Sequence, residues 1–219
     1  MQRILEPELM DGEQQALAYA QANFSFSNQL FVDQLLTDLA AGPHNVIDLG
    51  CGPADVLLRL SHARPDTFIT GVDGSAAMID LAASAIHVAG LEHQILLLNS
   101  YIPEIPVAPH SYTAILSKSF LHHLRDPMAL WQEAIRLGKP GAALCVMDLI
   151  RPRTPEAART MVEKIMPHEK PVLKRDFFNS LQAAFTVTEV EEQLHTIGLR
   201  LSVQQIGDRY MLIRGRLPQ

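Results

Sequence analysis

Two carboxylates frame a glycine turn in the first third of this chain. Val46-Ile47-Asp48-Leu49 reads as a buried strand, and Gly50-Cys51-Gly52 follows it directly, ahead of a helix start. Glycines at such a turn let the backbone approach a ligand closely. The helix that follows aims free N–H groups and a partial positive charge into the same space. Asp48 makes that space unsuited to a bare phosphate and suited to a ligand carrying a positive amino group. Asp73 ends the next apolar run, Phe68 to Val72, where an open α/β sheet places a carboxylate for two ribose hydroxyls. Further on, Ile115-Leu116-Ser117-Lys118-Ser119-Phe120-Leu121-His122-His123 ends a fourth apolar run. A histidine near its ordinary pKa suits proton transfer at neutral pH, which makes His122 and His123 the candidate bases.

The nicotinamide and flavin fingerprint is Gly-x-Gly-x-x-Gly. From Gly50 this chain supplies Gly50 and Gly52, but Asp55 where the third glycine belongs. A Gly-Lys-Ser or Gly-Lys-Thr phosphate loop is absent. The order acidic-Leu-Gly-Cys-Gly-Pro instead resembles motif I of the class I S-adenosylmethionine-dependent methyltransferases, whose pattern is acidic-x-Gly-x-Gly-x-Gly. The last glycine of that pattern is Ala54 here, a mild replacement if the residue holds helical dihedrals.

The resemblance implies that S-adenosylmethionine is bound by Asp48, Gly50, Cys51, Gly52, Asp73, Gly74, Ser75, Met78, Asn99, Ser100, Ser117 and Lys118. In that reading Gly50 and Gly52 approach the methionine end and Asp48 pairs with its ammonium. Asp73 holds the ribose, Met78 covers adenine, and Asn99 and Ser100 read the adenine edge. Ser117 and Lys118 lie beside the methionine part, and His122 or His123 stands where the methyl group leaves sulfur. The chemistry implied is in-line methyl transfer to a small, partly apolar molecule. A metal is not expected. Adjacent helical residues diverge by about 100°, which would keep His122 and His123 from sharing an ion, and the carboxylate set of the catechol-type enzymes is missing. A nicotinamide-dependent oxidoreductase and a catalytically silent cofactor-binding protein are the competing readings.

These residues need a scaffold, and the rest of the chain reads as one. Strand patterns at 45–49, 67–72, 94–98, 112–117 and 142–148 alternate with helix patterns at 54–63, 75–89 and 120–137. That alternation implies right-handed βαβ units and a parallel sheet. The expected fold is a Rossmann-like, doubly wound, seven-stranded sheet with an antiparallel last strand. Residues 1–42 form an N-terminal helical cap, ending at Gly42-Pro43, and 43–150 the cofactor-binding core. Residues 151–184 form a helical substrate cap, begun by Thr154-Pro155. Residues 185–219 add a helix, capped by Thr188 with Glu191, and a hairpin turning at Gly207-Asp208. Lys139-Pro140-Gly141 reads as a turn before the fifth strand.

Composition limits the partners. The 219 residues are 47% hydrophobic and 19% charged, with a net charge of −6, as befits a chain with a substantial core and no polyanion to bind. The two cysteines suit buried thiols in a reducing compartment. With no apolar leader and no membrane-length apolar run, the expectation is a cytoplasmic monomer or homodimer that acts on a small molecule, not on nucleic acid or a membrane.

Overall fold

The computed structural model describes residues 1–6 and 12–219. Part of the predicted N-terminal helical stretch, residues 8–11, lies outside the described residues. The helices α1 (Glu13–Gln21) and α2 (Ser25–Asp38) lead into β1 (Asn45–Leu49), α3 (Asp55–Ala63), β2 (Phe68–Asp73), α4 (Ala76–Ala89) and β3 (Ile95–Asn99). The chain then crosses to β4 (Tyr112–Lys118), a 3-10 turn (Leu121–His123), α5 (Met128–Leu137) and β5 (Gly138–Leu149). Next come α6 (Pro155–Ile165), α7 (Pro171–Ala183), α8 (Val187–Ile197), β6 (Ser202–Ile206) and β7 (Tyr210–Arg216).

The sheet order is β3-β2-β1-β4-β5-β7-β6, with β7 antiparallel to both its neighbours. The chain winds outward from β1 through β2 to β3, then returns to the other side of β1. The switch point therefore lies between the C-terminal ends of β1 and β4, where such sheets open a crevice.

Side chains alternate across each strand and divide the core in two. Ile47, Leu49, Ile115, Leu144 and Val146 pack with Trp131 and Leu137 of α5 and Val190 and Leu194 of α8. Val46, Ala114, Leu116, Cys145 and Met147 pack with Phe31 and Leu35 of α2 and Leu57 and Leu60 of α3. A smaller cluster of Leu149, Ala158, Val162, Leu181 and Ala184 joins α6 and α7 to the end of β5.

Local signals act largely as read. Ser75 caps α4 by accepting from the Met78 amide, and Gly90 ends it in the left-handed conformation. Thr154 caps α6, with Pro155 in the first turn. Gly207, Asp208 and Arg209 connect β6 to β7.

Four expectations are corrected. The capping box of α8 is Thr186 with Glu189, not Thr188 with Glu191. Both threonines precede a glutamate by three residues, and the tertiary partners decide: Phe185 bridges to Ile150 and Glu189 pairs with Arg151 at 2.5 Å. The helix expected over 120–137 is broken into the 3-10 turn and α5. Pro127 disfavours helix at the residue before it, and Asp126 accepts from the Met128 amide to restart the chain. Helix α2 stops at Asp38, ahead of Gly42-Pro43, where Leu39 turns to extended dihedrals and keeps its side chain in the core. Lys139-Pro140-Gly141 lies within β5 as an irregularity, the register passing from Tyr112↔Gly138 to Ala114↔Ala143.

Candidate active site

A cavity of about 380 Å³ opens at the switch point, within the range of small-molecule sites. The glycine turn forms its floor. Gly50 and Cys51 both donate to the Val72 carbonyl (2.8 and 2.9 Å), which locks the turn onto β2. Gly50 has φ +80°, and a Cβ there would lie 2.4 Å from the Phe120 ring. Gly52, φ +52°, faces open space within the cavity. Ala54 stands with φ +72° and ψ 11°. Its conformation is left-handed rather than helical, so the substitution for glycine is a strained one.

Asp48, 2% exposed, reaches this cavity from the end of β1. Its Oδ1 is buried and makes no hydrogen bond among the described residues. Burial, and then the nearby Asp73 charge, push its carboxyl up to about 7, while Lys118 acts in the opposite direction. Asp73 is held by the backbone. Its Oδ2 accepts from Gly52 N at 2.8 Å and its Oδ1 from Ser75 N at 2.9 Å. A carboxylate oxygen can accept more than one hydrogen bond.

Asp48, Gly50, Cys51, Gly52, Asp73, Gly74, Ser75, Met78, Ser100, Lys118 and His123 share this one cavity. Three other predicted residues do not line it. The Asn99 amide donates to the Asp73 and Gly74 carbonyls (2.9 and 3.1 Å), bracing the turn after β2. Ser117 is fully buried and donates to the Leu49 carbonyl at 2.8 Å. His122 lines an adjoining cavity of about 60 Å³, which His123 and Lys118 also reach. The Cys51 thiol is held well above its ordinary pKa by burial and by Asp73 and Asp48, so it packs as a neutral group.

The adjoining cavity has an electrostatic structure of its own. The His122 and His123 rings lie 4.3 Å apart at 33°. The divergence expected of neighbouring helical residues does not apply, because the segment is a 3-10 turn. His122 Nδ1 meets Asp148 Oδ1 at 2.5 Å, and Asp148 also accepts from the His122 and Leu149 amides (3.2 and 2.6 Å). Burial opposes charge on this histidine, yet Asp148 and Glu6 outweigh it and hold the imidazole above its ordinary pKa. Burial likewise opposes charge on Asp148, but His122 and the Leu149 amide bring its carboxyl below the ordinary value.

Glu6 and Asp148 were not singled out from the sequence, which gives no signal for Glu6. Asn28 was missed as well. It donates to Asp55 at 2.6 Å, and Arg59 pairs with the same carboxylate at 2.7 Å, so the residue in the third-glycine slot ties α2 to the cavity wall.

A doubly wound sheet with two acidic strand ends and a glycine turn at its switch point defines a Rossmann-like α/β fold. Comparison with known proteins narrows the class. Residues 46–141 match a family model described as a methyltransferase domain. The chain is 22% identical over 170 residues to 27-O-demethylrifamycin SV methyltransferase of Amycolatopsis mediterranei, covering 75% of this chain and 59% of the relative. It is 28% identical over 123 residues to demethylmenaquinone methyltransferase of Chlamydia pneumoniae, covering 56% and 52%. It thus spans a little over half the length of these curated relatives. The crystal structure of a SAM-dependent methyltransferase from Aquifex aeolicus superposes with a TM-score of 0.70 at 18% identity, covering 92% of this chain and 97% of that one. The family match covers the core of the sheet, residues 46–141, and the solved methyltransferase structure shares the fold of nearly the whole chain.

Proposed function

We propose that this protein transfers a methyl group from S-adenosylmethionine to a small, partly apolar molecule. The observation that carries the reading is the pairing, in one cavity, of the buried Asp48 carboxylate with the backbone-held Asp73 carboxylate across the open face of Gly52. A cationic ammonium would satisfy Asp48 and restore its ionised form. A ribose diol matches the two oxygens of the Asp73 carboxylate, held at the cavity edge. Met78 lines the cavity at the start of α4 and covers the adenine, with Ser100 at its edge; Asn99 supports this region from behind. Once bound, the cofactor supplies an activated methyl on sulfonium sulfur, and the chain's task is alignment and exclusion of water.

The acceptor side is the adjoining cavity, which Tyr19 and Phe24 line from the N-terminal helices and Met166, Leu173 and Phe177 from the α6–α7 region. This gives residues 1–42 and 151–184 their role as caps over the core of 43–150. His123 reaches both cavities and so takes the acceptor side. His122, held by Asp148 one step further from the cofactor, is a positioning residue. The apolar lining and the negative net charge favour an organic small molecule over nucleic acid, and relatives named for demethylrifamycin and demethylmenaquinone support the same class.

Calorimetric titration with S-adenosylhomocysteine, with NAD⁺ in parallel, tests the reading. Binding of S-adenosylhomocysteine alone is expected. Binding of NAD⁺ alone, or of neither, would overturn it.

A further inference from the structure

Three donor side chains meet at one point beside the acceptor cavity. Glu6 Oε1 lies 3.4 Å from His122 Nε2 and 3.4 Å from His123 Nδ1. All three groups offer donor atoms within 4.8 Å of one another. The Glu6 side chain is 8% exposed, and its Oε1 is buried with no hydrogen bond among the described residues. A charge-assisted imidazole–carboxylate hydrogen bond closes to about 2.7–2.9 Å, and neither contact does. In a tetrahedral site with metal–donor bonds of about 2.0–2.1 Å, donors stand about 3.3–3.4 Å apart. Both carboxylate–imidazole separations have that length.

The surroundings match an ion site more closely than an ion pair. Asp148 takes His122 Nδ1, so Nε2 is the nitrogen aimed at Glu6, the arrangement by which a carboxylate orients a ligating histidine. The Glu6 carboxylate is also delivered deliberately. Residues 1–6 are strapped to the body by Arg3, whose guanidinium donates to the Ala183, His122 and Leu124 carbonyls (2.6, 2.9 and 2.8 Å) and lies over the Phe185 ring. The Ile4 amide adds a bond to the Gln182 carbonyl at 3.1 Å. Ser180 Oγ, 3.4 Å from Glu6 Oε2, fixes the second carboxylate oxygen.

We propose that Glu6, His122 and His123 bind one divalent transition-metal ion of the zinc type, with its fourth position open to the acceptor cavity. Two imidazoles and a carboxylate form the donor set of sites that keep one position for water or substrate. An oxygen donor of the methyl acceptor is the group that position would take. The inference deepens the acceptor-side role given to His123 and rests on the methyltransferase reading for that acceptor alone.

Titration of the metal-stripped 219-residue protein with Co²⁺, followed by visible absorption, tests the site without any turnover. One equivalent is expected to bind and to give the intense d–d bands of four-coordinate cobalt. Glu6→Gln and His123→Asn are each expected to weaken Co²⁺ binding at least about tenfold, with Glu6→Gln keeping the wild-type affinity for S-adenosylhomocysteine as a report on its fold. Substoichiometric binding, a weak octahedral spectrum, or wild-type Co²⁺ affinity in both variants would overturn the proposal and leave a metal-free cluster of ion pairs. Co²⁺ binding without S-adenosylhomocysteine binding would instead remove the methyltransferase reading and leave the metal site standing.

Discussion

Asp48 and Asp148 occupy matching places, one at the end of β1 and the other at the end of β5, and each is 2% exposed. Their electrostatics are opposite. Asp48 keeps an oxygen with no hydrogen bond, and burial pushes its carboxyl up to about 7. Asp148 meets an imidazole nitrogen and two amides, and its carboxyl is held below the ordinary value despite the same burial. Burial alone therefore does not set the character of a carboxylate; the partners do. One acid is left incomplete where a cationic ligand would finish it. The other is satisfied within the protein and fixes a histidine.

Substitutions should separate the two acids by sign. Asp148→Ala removes the main charge and hydrogen-bond partner of the buried His122 ring, leaving it only Glu6 at 3.4 Å, and is expected to destabilise the fold by about 3–5 kcal/mol, read from the denaturation midpoint. A loss below about 1 kcal/mol would place His122 in a neutral, uncoupled state.

Asp48→Asn is expected to act in the opposite direction. The folded-state pKa lies above the unfolded value, so the folded chain favours the protonated acid. The penalty for ionising Asp48 is absent below about pH 4, grows between the two pKa values, and is complete above about pH 7. A shift from 3.8 to about 7 corresponds to as much as ~4 kcal/mol. The variant should gain stability at pH 8, lose that gain at pH 4, and bind S-adenosylhomocysteine more weakly. An equal gain at both pH values would show that the effect is not ionisation.

Asp73→Ala should weaken S-adenosylhomocysteine binding by about 1.5–3 kcal/mol, the range for hydrogen bonds to a charged group. Unchanged affinity would move the ribose elsewhere. The smallest effect belongs to the turn between the two acids and α3. Ala54→Gly relieves a left-handed alanine but removes a fully buried methyl, so a gain below about 1 kcal/mol is expected. A lower denaturation midpoint would show that the methyl contact outweighs the backbone strain.

The glycine-turn end of the cavity was readable because its residues are close in sequence or end successive strands. Asp48, Gly50 and Gly52 fall within one turn, and Asp73 follows one helix later, so strand–turn–helix periodicity placed them together. Asn99 and Ser117 show where that reasoning stops. Both sit at the expected strand ends, yet their side chains bond to backbone carbonyls, a choice that depends on which polar groups the neighbouring strands leave open. The wrong choice between Thr186 and Thr188 has the same origin: two equivalent capping patterns, separated only by the partners Ile150 and Arg151.

By itself, then, the sequence determined the alternating α/β architecture, the glycine turn and the two acidic strand ends, because each is written in local periodicity or in residues a few positions apart. Only the tertiary structure decided that Glu6, His122, His123 and Asp148 form one cluster. Those residues come from the N-terminal strap, a 3-10 turn and the end of β5. No local rule links them, and they are brought together by the packing of the sheet, the α6–α7 layer and the Arg3 tether.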